Sequence, residues 1–184
     1  HGAVVSPNTE YIMEGTQYAA PLPFKHVPLT QENYNNFYRG LVTFWKFDRA
    51  RGRIDPSRSF QIELPPYWQD LADFGKFESD GWAYMNSFNS ERAIGGTLDK
   101  KPAFKIGASA NDVDYLHIIN YKKAAELIAQ GKGTVMNGIK VLGLKDAVAN
   151  GVLYFAPEPK SPHGNDIAPR GDYIVVGGKL DPNE

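Results

Sequence analysis

The chain has 184 residues, about one domain at roughly 150 residues per domain. Lys and Arg number 20 against 21 Asp and Glu. The formal charge of −1 argues against a nucleic-acid tracker with a concentrated basic surface and against an anionic-membrane binder held by polybasic segments. With 42% hydrophobic residues, 10 Tyr, 10 Phe and no Cys, the composition is that of a folded, β-favouring protein without disulfides, thiolate ligands or a thiol nucleophile.

The chain opens on His1-Gly2-Ala3-Val4-Val5-Ser6-Pro7, with neither an initiator Met nor the charged-then-apolar form of a signal peptide. Residues 1–15 carry a short β-branched strand, the turn composition Pro7-Asn8-Thr9-Glu10 and a departing Tyr11-Ile12 strand, which together predict a β-hairpin. Residues 16–38, with Pro21, Pro23 and Pro28, are expected to form a long loop. Strands are expected at 40–48 and 59–64 around a turn at 49–53, then at 114–121 and 151–155. Residues 92–111 form a second expected long loop, and 122–131, rich in helix formers and stopped by Gly131, is the one expected short helix. The chain ends just after a strand, at Gly178-Lys179-Leu180-Asp181-Pro182, so it is expected to be an internal segment of a longer protein. No run of about 18 apolar residues suggests a membrane span.

The two ends repeat each other. Residues 1–15 align without gaps on residues 163–177, with six identities in fifteen positions: His, Gly, Pro, Tyr, Ile and the final Gly. A weaker third copy lays Ser79 to Asn86 on Pro169 to Val176, matching Gly81 with Gly171 and placing Asp73 at the position of the repeated His. Short strands, hairpin turns and repeats point to an all-β protein built as a β-propeller. At about 40–50 residues per blade the chain would hold about three blades once its long loops are discounted. On the repeat alone, His1 and His163 are either a blade-packing signature or two metal ligands at the hub.

Lys160-Ser161-Pro162-His163-Gly164, followed by Ala168-Pro169-Arg170-Gly171-Asp172-Tyr173-Ile174-Val175-Val176-Gly177-Gly178-Lys179-Leu180, resembles the propeller of nitrous-oxide reductase. So do Phe88-Asn89-Ser90-Glu91, Ala110-Asn111-Asp112-Val113-Asp114-Tyr115 and the opening His1-Gly2, in the family's order over essentially the whole chain. The long insertions suggest the family's atypical branch. The resemblance implies a seven-bladed N-terminal propeller, of which residues 1–184 would be a fragment. The propeller holds a copper–sulfide cluster that reduces nitrous oxide to dinitrogen and water in denitrification. It further implies a C-terminal cupredoxin domain, absent from this chain, that carries a two-copper electron-entry site. A periplasmic location, a head-to-tail homodimer and a c-type cytochrome or other periplasmic electron donor are implied as well. His1 and His163 match the family's cluster ligands and are the implied catalytic residues, and the chain alone is expected to be inactive.

Metal-bound His needs an acceptor on its other ring nitrogen, and Asp73 is expected either to be that outer-shell carboxylate or to be a solvated loop acid beside Asp70. The resemblance also implies a structural calcium held by Phe88 through its carbonyl, Glu91, Asp114, and the positions of Ala108 and Ser161, where the family more often has Met and Asn. His117 is expected to be packed within its strand and His26 to face solvent. The chain has no nucleophile elbow, phosphate loop or zinc helix. Two other readings are a non-catalytic propeller scaffold and a calcium-dependent propeller hydrolase.

Overall fold

A computed structural model describes residues 3–22, 26–28, 30–88, 114–158 and 162–177. Its first sheet follows from alternation. In the hairpin of β1 (Val4–Val5) and β2 (Tyr11–Gly15), Tyr11 and Met13 turn inward and Glu14 outward. β3 (Ala20–Pro21) and α1 (Gln31–Phe37) occupy part of the expected loop. Helix α1 starts because the Thr30 hydroxyl accepts the Asn33 N–H at 3.2 Å. β4 (Tyr38–Asp48) buries Leu41 to Phe44 without a break, as a strand covered on both faces does; β5 (Arg53–Ile54) pairs back on its end. β6 (Phe60–Leu64) alternates again, with Phe60, Ile62 and Leu64 inside. These strands form an antiparallel meander in the order β1-β2-β4-β6.

The second sheet begins with β7 (Trp68–Phe74), β8 (Trp82–Phe88) and β9 (Asp114–Asn120). The chain then leaves it for α2 (Tyr121–Ala129), β10 (Thr134–Met136), β11 (Ile139–Leu142) and α3 (Leu144–Ala149). It returns as β12 (Leu153–Glu158), completing the antiparallel order β7-β8-β9-β12. The excursion is not idle, because β11 pairs parallel with β6 and so extends the first sheet. Helix α2 forms close to where its composition predicts. Asn120 caps Lys123 N–H at 3.0 Å, Tyr121, Ala124 and Ile128 face the core, and Gly131 follows at φ +89°. β13 (Asn165–Ile167) and β14 (Ile174–Val176) form a third, two-stranded sheet. Strands dominate, in several sheets without a closed barrel, and the all-β expectation holds at that level, with three short α-helices among the described residues rather than one.

The middle sheet is apolar on both faces. Phe74, Ala83, Met85, Ile119 and Leu153 enter a core shared with β2, β4, β6 and α2, where Phe44 stacks between Phe60 and Tyr121 at 5.2 and 5.5 Å. Alternate residues of the same strands, Trp82, Tyr84, Leu116 and Ile118, meet Ile167, Ile174 and Val176 of the β13–β14 hairpin in a second core. β7 accordingly packs against β1 and β2 on one side and β13 on the other.

The terminal repeat is real in three dimensions. Val4 faces Met13 and Val5 faces Ile12, while Asp166 faces Val175 and Ile167 faces Ile174, so the two registers match residue for residue. The turn bonds match too: Ser6 N–H to Tyr11 O and Thr9 N–H to Ser6 O recur as Ala168 N–H to Tyr173 O and Gly171 N–H to Ala168 O. The third copy is also a hairpin, but its gap-free alignment fails. A 3₁₀ turn at Phe77–Ser79 lengthens the connection, so Asp73 faces Tyr84 and stands where Ile167 stands in the terminal copy. By pairing, the counterpart of His163 is Gln69, which faces Ser87 as His163 bonds Gly177; it is not Asp73.

Thr9 and Gly171 share a positive φ, at 53° and 82°. Only at Gly171 would a Cβ overlap the Lys76 carbonyl oxygen of the neighbouring turn. Gly171→Ala should therefore destabilise the chain by about 2 kcal/mol or more, whereas Thr9→Gly should be neutral or stabilise by less than about 1 kcal/mol. Urea midpoints check this, and equal midpoints for Gly171→Ala and wild type would refute the close turn–turn packing.

Candidate functional site

His163 enters the third hairpin just ahead of β13. Its backbone N–H donates to Gly177 O at 3.0 Å, and Gly177 N–H returns to Gly164 O at 3.2 Å. Gly164 sits at φ +135°, which gives the Gly of the repeated His-Gly pair a backbone reason. Across from it, β7 changes register between Gln69 and Ala72. Such a bulge re-aims side chains and frees backbone groups. Here it presents two groups to the hairpin: Asp70 Oδ2 lies 3.8 Å from His163 Nε2, and Leu71 O accepts from Asn165 Nδ2 at 3.2 Å. Asn165 Nδ2 also donates to Asn86 Oδ1 at 3.0 Å, tying the hairpin to β8. The Asp70 side chain is 2% exposed and that of His163 is 55% exposed, so a buried carboxylate backs an accessible imidazole. Asp73 Oδ1 accepts the adjacent Phe74 N–H at 2.8 Å, and the carboxylate that the bulge brings to His163 is that of Asp70.

The same end of the middle sheet gathers carboxylates. The start of β7, the end of β8, the start of β9 and the end of β12 coincide by register. Asp114 and Glu158 face each other directly across β9 and β12, both buried. On the neighbouring strand, Ser87 Oγ accepts the Tyr115 N–H at 2.9 Å and reaches Asp114 Oδ1 at 3.5 Å. Burial, and then the charge of Asp114, push the Glu158 carboxyl up to about 8. Neither Glu158 oxygen has a hydrogen-bond partner. Phe88 ends β8 one residue beyond Ser87, which leaves its carbonyl at this edge of the sheet.

Of the residues expected to hold metals, His163, Asp114 and the Phe88 backbone are thus brought to one end of the middle sheet. His1, Glu91, Ala108 and Ser161 lie outside the described residues. Among the described residues no three His, Asp or Glu side chains converge as a metal-holding group. Hard oxygen donors at Asp114 and Glu158, with both Glu158 oxygens buried and without a hydrogen-bond partner among the described residues, are the donor chemistry of calcium. The accessible His163 ring, with a buried carboxylate 3.8 Å away, has the residue types of an imidazole ligand and its outer carboxylate, and among the described residues it is a single such imidazole rather than a cluster. The sequence reading passed over Asp70 and Glu158. Extending the 151–155 strand by three residues would have placed Glu158 opposite Asp114.

Elsewhere, two surface clefts of about 370 and 260 Å³ lie on the first sheet. Neither is lined by His163, Asp70, Asp114 or Glu158, and their Lys46 and Arg58 are held in ion pairs with Glu10 and Asp55. No described helix is long and apolar enough to cross a membrane. His26 is exposed. His117 is wholly buried, its Nδ1 3.1 Å from Met85 O and its ring edge-on to Phe155 at 5.5 Å, so it packs within its strand.

Burial holds the His117 imidazole down at about 4, against 6.5 when solvated. Between those values the unfolded chain takes up a proton that the folded chain refuses. This contribution to stability is whole above about pH 6.5 and is lost as pH falls through about 4, by about 3 kcal/mol at roughly 1.4 kcal/mol per unit. His117→Phe should remove that part of the acid sensitivity, measured by urea unfolding near pH 7 and near pH 4; an unchanged difference would refute it. No protein-family model matches the chain.

Proposed function

We propose that the chain is part of the propeller of a copper-dependent nitrous-oxide reductase, the enzyme that reduces nitrous oxide to dinitrogen and water in denitrification. The observation that carries this reading is the pair of register-matched hairpins, each headed by His-Gly, with His163 set against the buried Asp70 carboxylate. A four-stranded antiparallel meander is the unit of a propeller blade. Two such meanders and a third hairpin, stacked face to face with β1, β7 and β13 as successive first strands, support about three blades of a ring of seven.

Within this reading His163, together with His1, holds the cluster. The Asp70 carboxylate, its Oδ2 3.8 Å from His163 Nε2, is the one placed to orient the ring, which would leave Nδ1 as the nitrogen for the metal. Asn165, bonded to Leu71 O and Asn86, keeps the hairpin from shifting against the middle sheet. A bound copper–sulfide centre supplies the redox chemistry by which nitrous oxide takes up two electrons and two protons. At the carboxylate end Asp114 and the Phe88 carbonyl would hold a calcium, with Glu91, Ser161 and the position of Ala108 as the other ligands the resemblance implies. In this reading the electrons would come from a periplasmic donor such as a c-type cytochrome, by way of a two-copper cupredoxin domain, and the enzyme would be a homodimer.

The test uses the whole copper-loaded enzyme. His163→Ala should lose cluster copper by elemental analysis and, with it, nitrous-oxide reduction. Asp70→Asn should keep the ligand but weaken copper retention against a chelator by about 10–100-fold, the usual effect of removing an outer-shell carboxylate. Copper content and turnover equal to wild type in His163→Ala would overturn the assignment.

A further inference from the structure

We infer that Glu158 is a further ligand of the cation at Asp114, so that a calcium ion is clamped between two paired strands, β9 and β12. This rests on the reading of Asp114 as a cation ligand, and Glu158 is added to that set on its own observations. Glu158 is 7% exposed, and both of its carboxylate oxygens lack a hydrogen-bond partner among the described residues. Its directly paired neighbour across the ladder is Asp114, itself 1% exposed. Directly opposed residues of an antiparallel pair bring their side chains within about 5 Å on one face, where two like charges repel.

A buried carboxylate facing another carboxylate is held only if something neutralises it. A proton on Glu158 would satisfy one of its oxygens. A hard cation satisfies both at once and turns the repulsion with Asp114 into shared coordination. The Ser87 hydroxyl, 3.5 Å from Asp114 Oδ1, brings a neutral oxygen from the third neighbouring strand. Calcium fits better than magnesium. It accepts two-oxygen carboxylate donors and six to eight ligands in loose geometry, whereas magnesium demands a near-ideal octahedron and keeps its waters. Glu158 also lies on a strand held by a full ladder from Leu153↔Ile119 to Glu158↔Asp114. A cation at this point therefore locks the last rung of that ladder, and its binding should be felt as stability.

The test is calcium titration of the chelator-treated full chain by calorimetry, paired with thermal unfolding with and without calcium. Wild type should bind calcium and gain thermal stability from it. Glu158→Gln should bind at least about tenfold more weakly and lose most of the calcium-induced shift. In chelator it should be as stable as wild type or more so, because it removes a buried charge; a merely structural residue would show the opposite. Glu158→Gln with wild-type calcium affinity would overturn the proposal, and loss of binding in Asp114→Asn alone would then leave the Asp114 reading standing. Absence of binding in wild type would overturn both. Should Glu158→Gln fail to fold, Glu158→Asp decides, since it keeps the charge and shortens the reach: weaker binding supports the assignment and unchanged affinity overturns it.

Discussion

A sheet that is apolar on one face needs one partner, and a sheet that is apolar on both needs two. β8 and β9 are of the second kind: Ala83, Met85 and Ile119 point one way, and Trp82, Tyr84, Leu116 and Ile118 the other. That two-sided burial draws the first sheet against one face and the β13–β14 hairpin against the other, which is why β7 has β1 as one neighbour and β13 as the next. His163 and Asp70, 93 residues apart in the chain, meet because of it. The polar contacts at that meeting, Asn165 to Leu71 O and to Asn86, tune a juxtaposition that apolar burial has already made.

The end of the middle sheet where these contacts occur is costly to build. Buried carboxylates at Asp70, Asp114 and Glu158 sit at the ends of three of its strands, and Gln69, Asn86 and Ser87 are buried beside them. Apolar residues there would be more stable, since burying charge in a dry interior is unfavourable even when it is well paired. The polar groups concentrate at one rim, while an aromatic stack of Phe44, Phe60, Phe74 and Tyr121 packs the first core, so the part of the fold that holds it together is separate from its polar end.

What could be read from the sequence was local. The terminal hairpins were legible because turn residues and Tyr-Ile strands fix their own register, and strands 40–48 and 59–64 and the helix after Asn120 follow from short-range alternation and capping. What could not be read depends on distant partners. Helix α3 has no side-chain cap of its own; its first N–H bonds to Glu63, 81 residues earlier. The weaker third copy, β7 to β8, was misregistered because the Phe77–Ser79 turn lengthens its connection without altering the Gly that anchors the comparison. The contact of Asp70 with His163 was not legible because it depends on a bulge in β7, which a period-two pattern does not show.

The parallel pairing of β11 with β6 has a kinetic meaning. Phe60 and Lys140 must find each other across 80 residues, and the α2-to-α3 excursion that lies between β9 and β12 is anchored on the first sheet by that pairing. Long-range parallel contacts come late in folding, after the entropy of closing their loop has been met. The last strand of one sheet is thus tied to the edge of another, so the two sheets should assemble and come apart together as a single cooperative unit.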